Sequence, residues 1–305
     1  MRVIVHGGAG GIPDDPAPRQ AVLDEAAETG ATATTPLDAV ESAVGVLESS
    51  PRFNAGVGGA VQSDGVVRTD AGVMTSDRGI GAVCSLPGVE RAASVARVVH
   101  SETPHVFVSG EHAVALADDF EIETGVDLLT DEKRERYERE DPPAGGPREH
   151  LAWLQTRFGS GDDQAGDRSD DEAGGSDTDA APDHDTVGAV ASDGESFAAV
   201  TSTGGRSFAL AGRVGDVPQV GSGFFCTEAG GASATGAGED IARVTLSRRA
   251  VGHLEDGRDA QTAADEAIAE FETRTGSGAG VIVLGDEGAG SAFNTDGMQT
   301  AVDYR

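Results

Sequence analysis

Lysine is nearly missing from this chain of 305 residues: Lys133 is the single one, and every other basic residue is arginine. Cysteine is almost as scarce. Cys84 and Cys226 are the only two, too few for a disulfide framework or a cysteine zinc site, and the expectation is two buried free thiols. No apolar run approaches the ~20 residues that a membrane span requires. The opening residues, Met1 to Gly8, lack a basic stretch followed by a long apolar one, so a secretory signal is not expected and the cytoplasm is the default location. A glycine run, His6-Gly7-Gly8-Ala9-Gly10-Gly11, invites a phosphate-cradling reading, but it leads into Pro13-Asp14-Asp15-Pro16 and carries no lysine. A close backbone turn is the better reading.

Negative charge is what the chain has in excess. Asp and Glu number 53 against 22 Lys and Arg, a formal net charge of -31 distributed over the whole length. Such an excess alone would favour disorder. Hydrophobic residues nonetheless make up 38% and fall into periodic segments, which argues for a folded protein of one large or two small domains. Dense carboxylates with lysine nearly eliminated read as adaptation to molar salt, where screening removes the self-repulsion. Nucleic acid and anionic membranes are poor partners for this charge.

Along the chain, Val3–Val5 predicts a strand and Ala17–Thr29 a helix. Thr35-Pro36-Leu37-Asp38 supplies an N-cap with Pro at the first helical position, ahead of an apolar stripe of Leu37, Val40, Val44 and Leu47. Val66–Thr69 and Ile80–Cys84 predict strands, Val89–His100 a helix, His105–Val108 a strand and His150–Phe158 a short helix. Charge dominates from Glu132 to Glu140, before a Pro/Gly break. From Gly159 to about residue 185 the chain is acidic and rich in Gly, Ser and Ala, and is expected to be a disordered linker. Beyond it, Thr186–Ala191 and Ser196–Thr201 flank Asp193-Gly194, a hairpin signal. Val220–Thr227, Ala232–Thr235 and Gly280–Leu284 predict further strands, and Ile241–Leu254 and Ala260–Thr273 helices. Short strands mixed with amphipathic helices imply an α+β layered arrangement.

The border at Thr186 is chemically suggestive. A threonine between an acidic linker and an apolar strand makes sense if the chain is cut before it, between Asp185 and Thr186. The freed α-amine titrates near pH ~8 and can serve as general base for its own hydroxyl. Motifs downstream fit that chemistry. Thr201-Ser202-Thr203-Gly204-Gly205 ends a strand, and Thr235-Gly236-Ala237-Gly238-Glu239 precedes a helix, where a backbone N–H and a hydroxyl can form an oxyanion hole. Gly212-Arg213-Val214-Gly215-Asp216 offers one cation and one anion for the carboxylate and ammonium of an amino acid. Each motif alone has a bland reading, as β-sheet threonines, a surface ion pair or a capped helix start; the combination carries the information.

These motifs, together with His6-Gly7-Gly8-Ala9-Gly10, Phe53-Asn54-Ala55-Gly56, Asp70-Ala71, His184-Asp185-Thr186-Val187-Gly188 and Phe293-Asn294-Thr295, resemble the family of plant-type L-asparaginases, isoaspartyl peptidases and glycosylasparaginases. These are N-terminal-nucleophile hydrolases. Only the region 111–183 is without a match. The resemblance implies a four-layer αββα sandwich, with residues 1–185 and 186–305 as two parts of one domain, separated by self-cleavage at Asp185-Thr186, and assembly as a dimer of cleaved αβ units. It implies Thr186 as nucleophile, Thr203 orienting it, Thr235 hydroxyl and Gly236 N–H as oxyanion hole, and Asn54 supporting the nucleophile. It further implies Arg213 on the substrate α-carboxylate and Asp216 on its α-ammonium. The substrate would be asparagine or a β-aspartyl compound, and no cofactor would take part in the chemistry. Carbonyls of the loop from Leu47 to Phe53 match a segment that holds a structural sodium in some relatives. Three departures bear on the leaving group. His184-Asp185 resembles the glycosylasparaginase branch, which keeps glycosylasparagine as an alternative substrate, Val217 stands where a serine is usual, and Ala237 where a larger polar residue is common. An uncleaved binding relative would be a further alternative.

Overall fold

The computed structural model describes residues 1–158 and 186–305. The expectations for the linker from 159 to 185 and for Asp185 lie outside the described residues.

The fold is the expected four-layer αββα sandwich. One sheet has seven strands in the order β11-β1-β5-β6-β2-β3-β4, from β1 (Arg2–Gly10), β2 (Arg68–Thr75), β3 (Ile80–Pro87), β4 (Phe107–Ser109), β5 (Val187–Ser192), β6 (Phe197–Thr203) and β11 (Gly297–Tyr304). The other has four, β10-β9-β8-β7, from β7 (Phe224–Thr227), β8 (Gly230–Gly236), β9 (Ala279–Gly285) and β10 (Gly288–Phe293). All pairings are antiparallel except β3 with β4. Helices α1 (Ala17–Ala31), α2 (Pro36–Glu48), α3 (Ala92–Glu102) and α4 (Gly110–Asp119) cover the outer face of the larger sheet through a core that includes Leu23, Val40, Leu47, Val95 and Val200. On the far side, α8 (Leu246–Glu255) and α9 (Ala260–Thr275) cover the smaller sheet around Ile241, Leu246, Ile268 and Phe271. Between the sheets lie Ile4, Met74, Val190, Phe197, Phe224, Ile282 and Leu284, the interdigitation expected of two packed sheets. Both cysteines are buried free thiols, as expected.

Local chemistry sets the element ends. Thr35 Oγ1 accepts the Asp38 N–H at 3.2 Å and Pro36 occupies the first turn of α2. Asp259 caps α9 through the Thr262 N–H at 3.0 Å, and Gly276 closes it with a left-handed φ of 68°. The Asp193-Gly194 hairpin joins β5 to β6 in register, Ser192 opposite Phe197. Several boundaries differ from the sequence reading. The glycines after His6 do not end β1: the strand runs to Gly10 with a register shift between His6 and Ala9, where Gly8 takes a φ of 111° and Gly7 leaves room for the Phe53 ring. The single helix expected over 241–254 is two, α7 (Gly238–Val244) and α8, because Thr245 adopts a left-handed φ of 55°. The charged stretch forms α5 (Asp131–Glu140), capped by Thr130 through Lys133 N–H at 3.4 Å, and α6 spans Pro147–Phe158. Among the described residues no helix is long and apolar enough to cross a membrane.

Candidate active site

Thr186 stands at the head of β5, and β5 lies between β1 and β6 in the middle of the larger sheet. That position carries its side chain to a cavity of about 650 Å³. The floor of the cavity holds Thr186 and Thr203, both buried. Thr186 Oγ1 donates to Thr203 Oγ1 at 3.2 Å. Thr203 Oγ1 in turn accepts the Gly205 N–H at 3.1 Å and lies 3.4 Å from the Asn54 carbonyl oxygen. The period of two along a strand explains the division of labour in β6. Thr201 and Thr203 share the face toward the other sheet, and Ser202 points the opposite way, where its hydroxyl donates to Glu48 Oε1 at 2.6 Å.

Asn54 braces this strand end from the other side. Its carbonyl accepts Gly204 N–H at 2.8 Å, its Nδ2 donates to the Gly205 carbonyl at 2.6 Å, and its Oδ1 accepts Ala60 N–H at 2.7 Å. The two segments touch so closely that a Cβ on Gly204 would overlap Gly59 Cα and stand 2.8 Å from Ala60 N. Gly204 is therefore a packing requirement of the Asn54 loop, and Gly205 suits its own left-handed φ of 87°.

The cavity wall is built by the turn carrying Arg213 and Asp216 and by the start of α7. Gln62 fixes the turn, its Oε1 accepting Gly212 N–H at 2.8 Å and its Nε2 donating to the Arg213 carbonyl at 3.2 Å. A Cβ on Gly238 would come within 2.6 Å of Asp216 Oδ1 and 3.0 Å of Arg213 Nη2, so the helix start abuts both charged groups. Gly236, Ala237 and Val217 also line the cavity. Thr235 is not among the lining residues; it is buried in β8, and its hydroxyl accepts Ala9 N–H at 3.4 Å.

The electrostatics of the wall are unusual. Burial pushes the Asp216 carboxyl up to about 7, against the lowering effects of its own backbone and of Arg213. Its Oδ2 is buried and has no hydrogen-bond partner among the described residues. A buried carboxylate oxygen without a donor is costly unless a cation comes to it. Arg213 is not bonded to Asp216; its Nε donates to Glu239 Oε1 at 2.8 Å. Behind the cavity, Asp70 sits opposite Thr203 in the β2–β6 pairing, and burial raises its carboxyl to about 7 as well.

Two buried groups lie near Thr186 that the sequence does not single out as site residues. His6 Nε2 is 2.9 Å from Ser233 Oγ, which is 2.6 Å from Thr201 Oγ1, a polar chain between the sheets. Burial drives the His6 imidazole down to about 3, against the raising influence of the Thr186 backbone beside it, so it is neutral at physiological pH. Glu48, at the end of α2, accepts from Ser202 Oγ and from Ala93 N–H at 3.0 Å. Its only sequence signal is an acidic residue on the apolar stripe of a helix. In the loop from Leu47 to Phe53, the carbonyls of Leu47, Glu48 and Ser50 each accept one N–H from within the loop region, from Ser50, Val57 and Phe53. Each keeps a second lone pair, a donor set of neutral oxygens that suits a monovalent cation.

Similar proteins agree with one another. The chain is 36% identical to the plant-type L-asparaginase of Thermococcus kodakarensis over 311 residues, covering 98% of this chain and 95% of that protein. The plant-type L-asparaginase of Pyrococcus furiosus is also 36% identical, covering 99% and 95%. The isoaspartyl peptidase/L-asparaginase of Danio rerio is 34% identical over 302 residues, covering 95% and 87%. The family model described as asparaginase matches residues 1–305, and this chain, with its threonine-floored cavity lined by Arg213 and Asp216, belongs to the asparaginase family.

Proposed function

We propose that this protein is a self-cleaving threonine amidohydrolase that releases aspartate from asparagine or from β-aspartyl peptides. The observation that carries the reading is the Thr186 to Thr203 hydroxyl contact at 3.2 Å, in the same cavity that holds Arg213 and Asp216. Both activities appear in the names of the similar proteins. Cleavage between Asp185 and Thr186 would free the Thr186 amine. That amine takes the proton from Thr186 Oγ1, and the oxygen attacks the side-chain carbonyl of the substrate. The carbonyl C–N bond breaks as the proton held by the Thr186 amine passes to the departing nitrogen, which leaves as ammonia or as the amine of the leaving residue, and the aspartyl group remains as an ester on Thr186. Water then hydrolyses the ester and restores the hydroxyl.

Arg213 binds the α-carboxylate, exchanging Glu239 for it, and Asp216 Oδ2 receives the α-ammonium that its buried oxygen lacks. Thr203 fixes the rotamer of the nucleophile. The Gly236 N–H stabilises the oxyanion, and Thr235, buried behind it in β8, holds the strand end that presents this N–H. Asn54 holds the Thr203 turn in place. A sodium ion on the carbonyls of the Leu47 to Phe53 loop would rigidify the segment leading to Asn54 and enter no step. Two cleaved units associate as a dimer, and the large negative charge makes folding and turnover depend on salt.

The experiment is Thr186→Ala, examined by intact mass spectrometry and by aspartate release in molar KCl. A single uncut chain with no turnover is expected. Full activity, or cutting at this bond in the variant, would refute the assignment.

A further inference from the structure

The cavity reverses the charge of the chain. Acidic residues outnumber basic ones by more than two to one overall, yet four arginines, Arg206, Arg213, Arg243 and Arg274, line this one cavity against Asp216, Glu239 and Asp240. Two of the four are matched within the wall. Arg213 is held by Glu239, and Arg243 Nη1 by Asp240 Oδ1 at 2.7 Å. Arg206 and Arg274 have neither a hydrogen-bonded nor an ion-paired side-chain partner among the described residues.

Burial orders these groups by depth. Thr186, Thr203 and Asp216 are buried, Arg206 is half-buried and Arg274 is exposed. Arg206 follows directly on the Thr203-Gly204-Gly205 turn, and Arg274 lies in the last turn of α9 beside Thr275 and Ser277, which also line the cavity. A substrate bound by its aspartyl half is neutral at Arg213 and Asp216, one carboxylate and one ammonium. With its reacting carbonyl at Thr186, the group that leaves must point outward, past Arg206 toward Arg274. Ammonia offers those guanidiniums nothing. An amino acid in the leaving position carries a carboxylate there.

We propose that Arg206 and Arg274 form a leaving-group subsite that binds the α-carboxylate of the departing amino acid, which makes β-aspartyl dipeptides with a free C-terminus the preferred substrates. This rests on the hydrolytic reading given above. Two further details agree with it. Arg206 takes part in the local field: burial raises the Glu239 carboxyl, but Arg213 and then Arg206 bring it below its ordinary range. The guanidinium fork also matches a carboxylate in two-point contact, which survives high salt better than a long-range field does.

The test compares β-aspartyl-leucine with its C-terminal amide, a pair that differs at the departing carboxylate, at one KCl concentration where the protein is folded and cut. The free acid is expected to exceed the amide in kcat/KM by about tenfold, the size of one charge-assisted hydrogen bond. The double variant R206Q/R274Q is expected to bring the ratio to near one, and R206K with R274K to restore part of it. A wild-type ratio near one would overturn the subsite while leaving the hydrolase intact. A tenfold ratio that persists in R206Q/R274Q would overturn the assignment to these two arginines. Folded, cut protein that hydrolyses neither dipeptide nor asparagine would instead refute the hydrolytic reading itself.

Discussion

Replacing Glu48 by glutamine isolates the cost of an ionised carboxylate placed under the active-site strand. The Glu48 carboxyl is fully buried, accepts from Ser202 and Ala93 through Oε1, and leaves Oε2 without a hydrogen-bond partner among the described residues, with Arg91 Nε 3.7 Å away. Burial raises its pKa from 4.5 to about 7, with the Ser202 and Ala93 bonds and Arg91 opposing. Between these two values the folded protein keeps a proton that the unfolded chain has lost. Stability therefore falls as pH rises through that window and levels off above about 7. The rise corresponds to about 3 kcal/mol. Glutamine keeps the Oε1 acceptor and cannot ionise. In a Thr186→Ala background, where both proteins stay as one chain, the stability of the Glu48 protein relative to Glu48→Gln should drop by about 3 kcal/mol from pH 4.5 to pH 8. Asp70, Asp216 and His6 also titrate abnormally, but they are common to both proteins and cancel in the difference. Urea unfolding at constant molar KCl, followed by circular dichroism, measures it. A difference constant with pH to within about 0.5 kcal/mol would refute the burial argument.

Gly204→Ala should cost about 100-fold in kcat/KM and about 1–3 kcal/mol of stability, because the new methyl collides with backbone at Gly59 and Ala60 and displaces the Asn54 loop by a large fraction of an ångström; steady-state kinetics and urea unfolding would show whether activity suffers as predicted. On asparagine, kcat/KM should fall as pH drops, first with protonation of the Thr186 amine near ~8. It should fall more steeply, toward a hundredfold per pH unit, once Asp216 also protonates below about 7. A profile flat down to pH 5 would contradict both assignments.

How much of this was legible beforehand divides along physical lines. The Asp193-Gly194 hairpin, the Thr35-Pro36 helix start and the strand bearing Thr201 to Thr203 are local devices, and the structure has them where the residues place them. The break at Thr245 was not legible, because the left-handed position falls on a threonine and no glycine announces it. Helix α5 has no sequence signal because it buries none of its residues and carries no apolar period. In the cavity, Arg213 and Asp216 could be named from one short turn, and the structure brings them beside Thr186 and Thr203. Glu48 and His6 could not be singled out, since their significance comes from complete burial by elements distant in sequence. Arg206 and Arg274 are separated by 68 positions in the sequence and come to one cavity only through the fold.

The strand order has a thermodynamic corollary. Within the larger sheet, β11, β5 and β6 come from the segment after residue 185, and β1, β2, β3 and β4 from the segment before it, with β1 wedged between β11 and β5. A cut ahead of Thr186 thus yields two polypeptides laced through one another at three strand junctions, β11–β1, β1–β5 and β6–β2. The cluster under α8 and α9 belongs wholly to the second fragment, but the cluster under α1 to α4 and the one between the sheets draw on both. Melting then changes molecularity: the uncut chain unfolds in a first-order equilibrium indifferent to dilution, whereas the nicked protein dissociates as it melts, so its midpoint climbs with concentration. Ageing of the molecule through its own chemistry would convert an intramolecular fold into an obligate complex, and a scanning calorimeter could date that conversion.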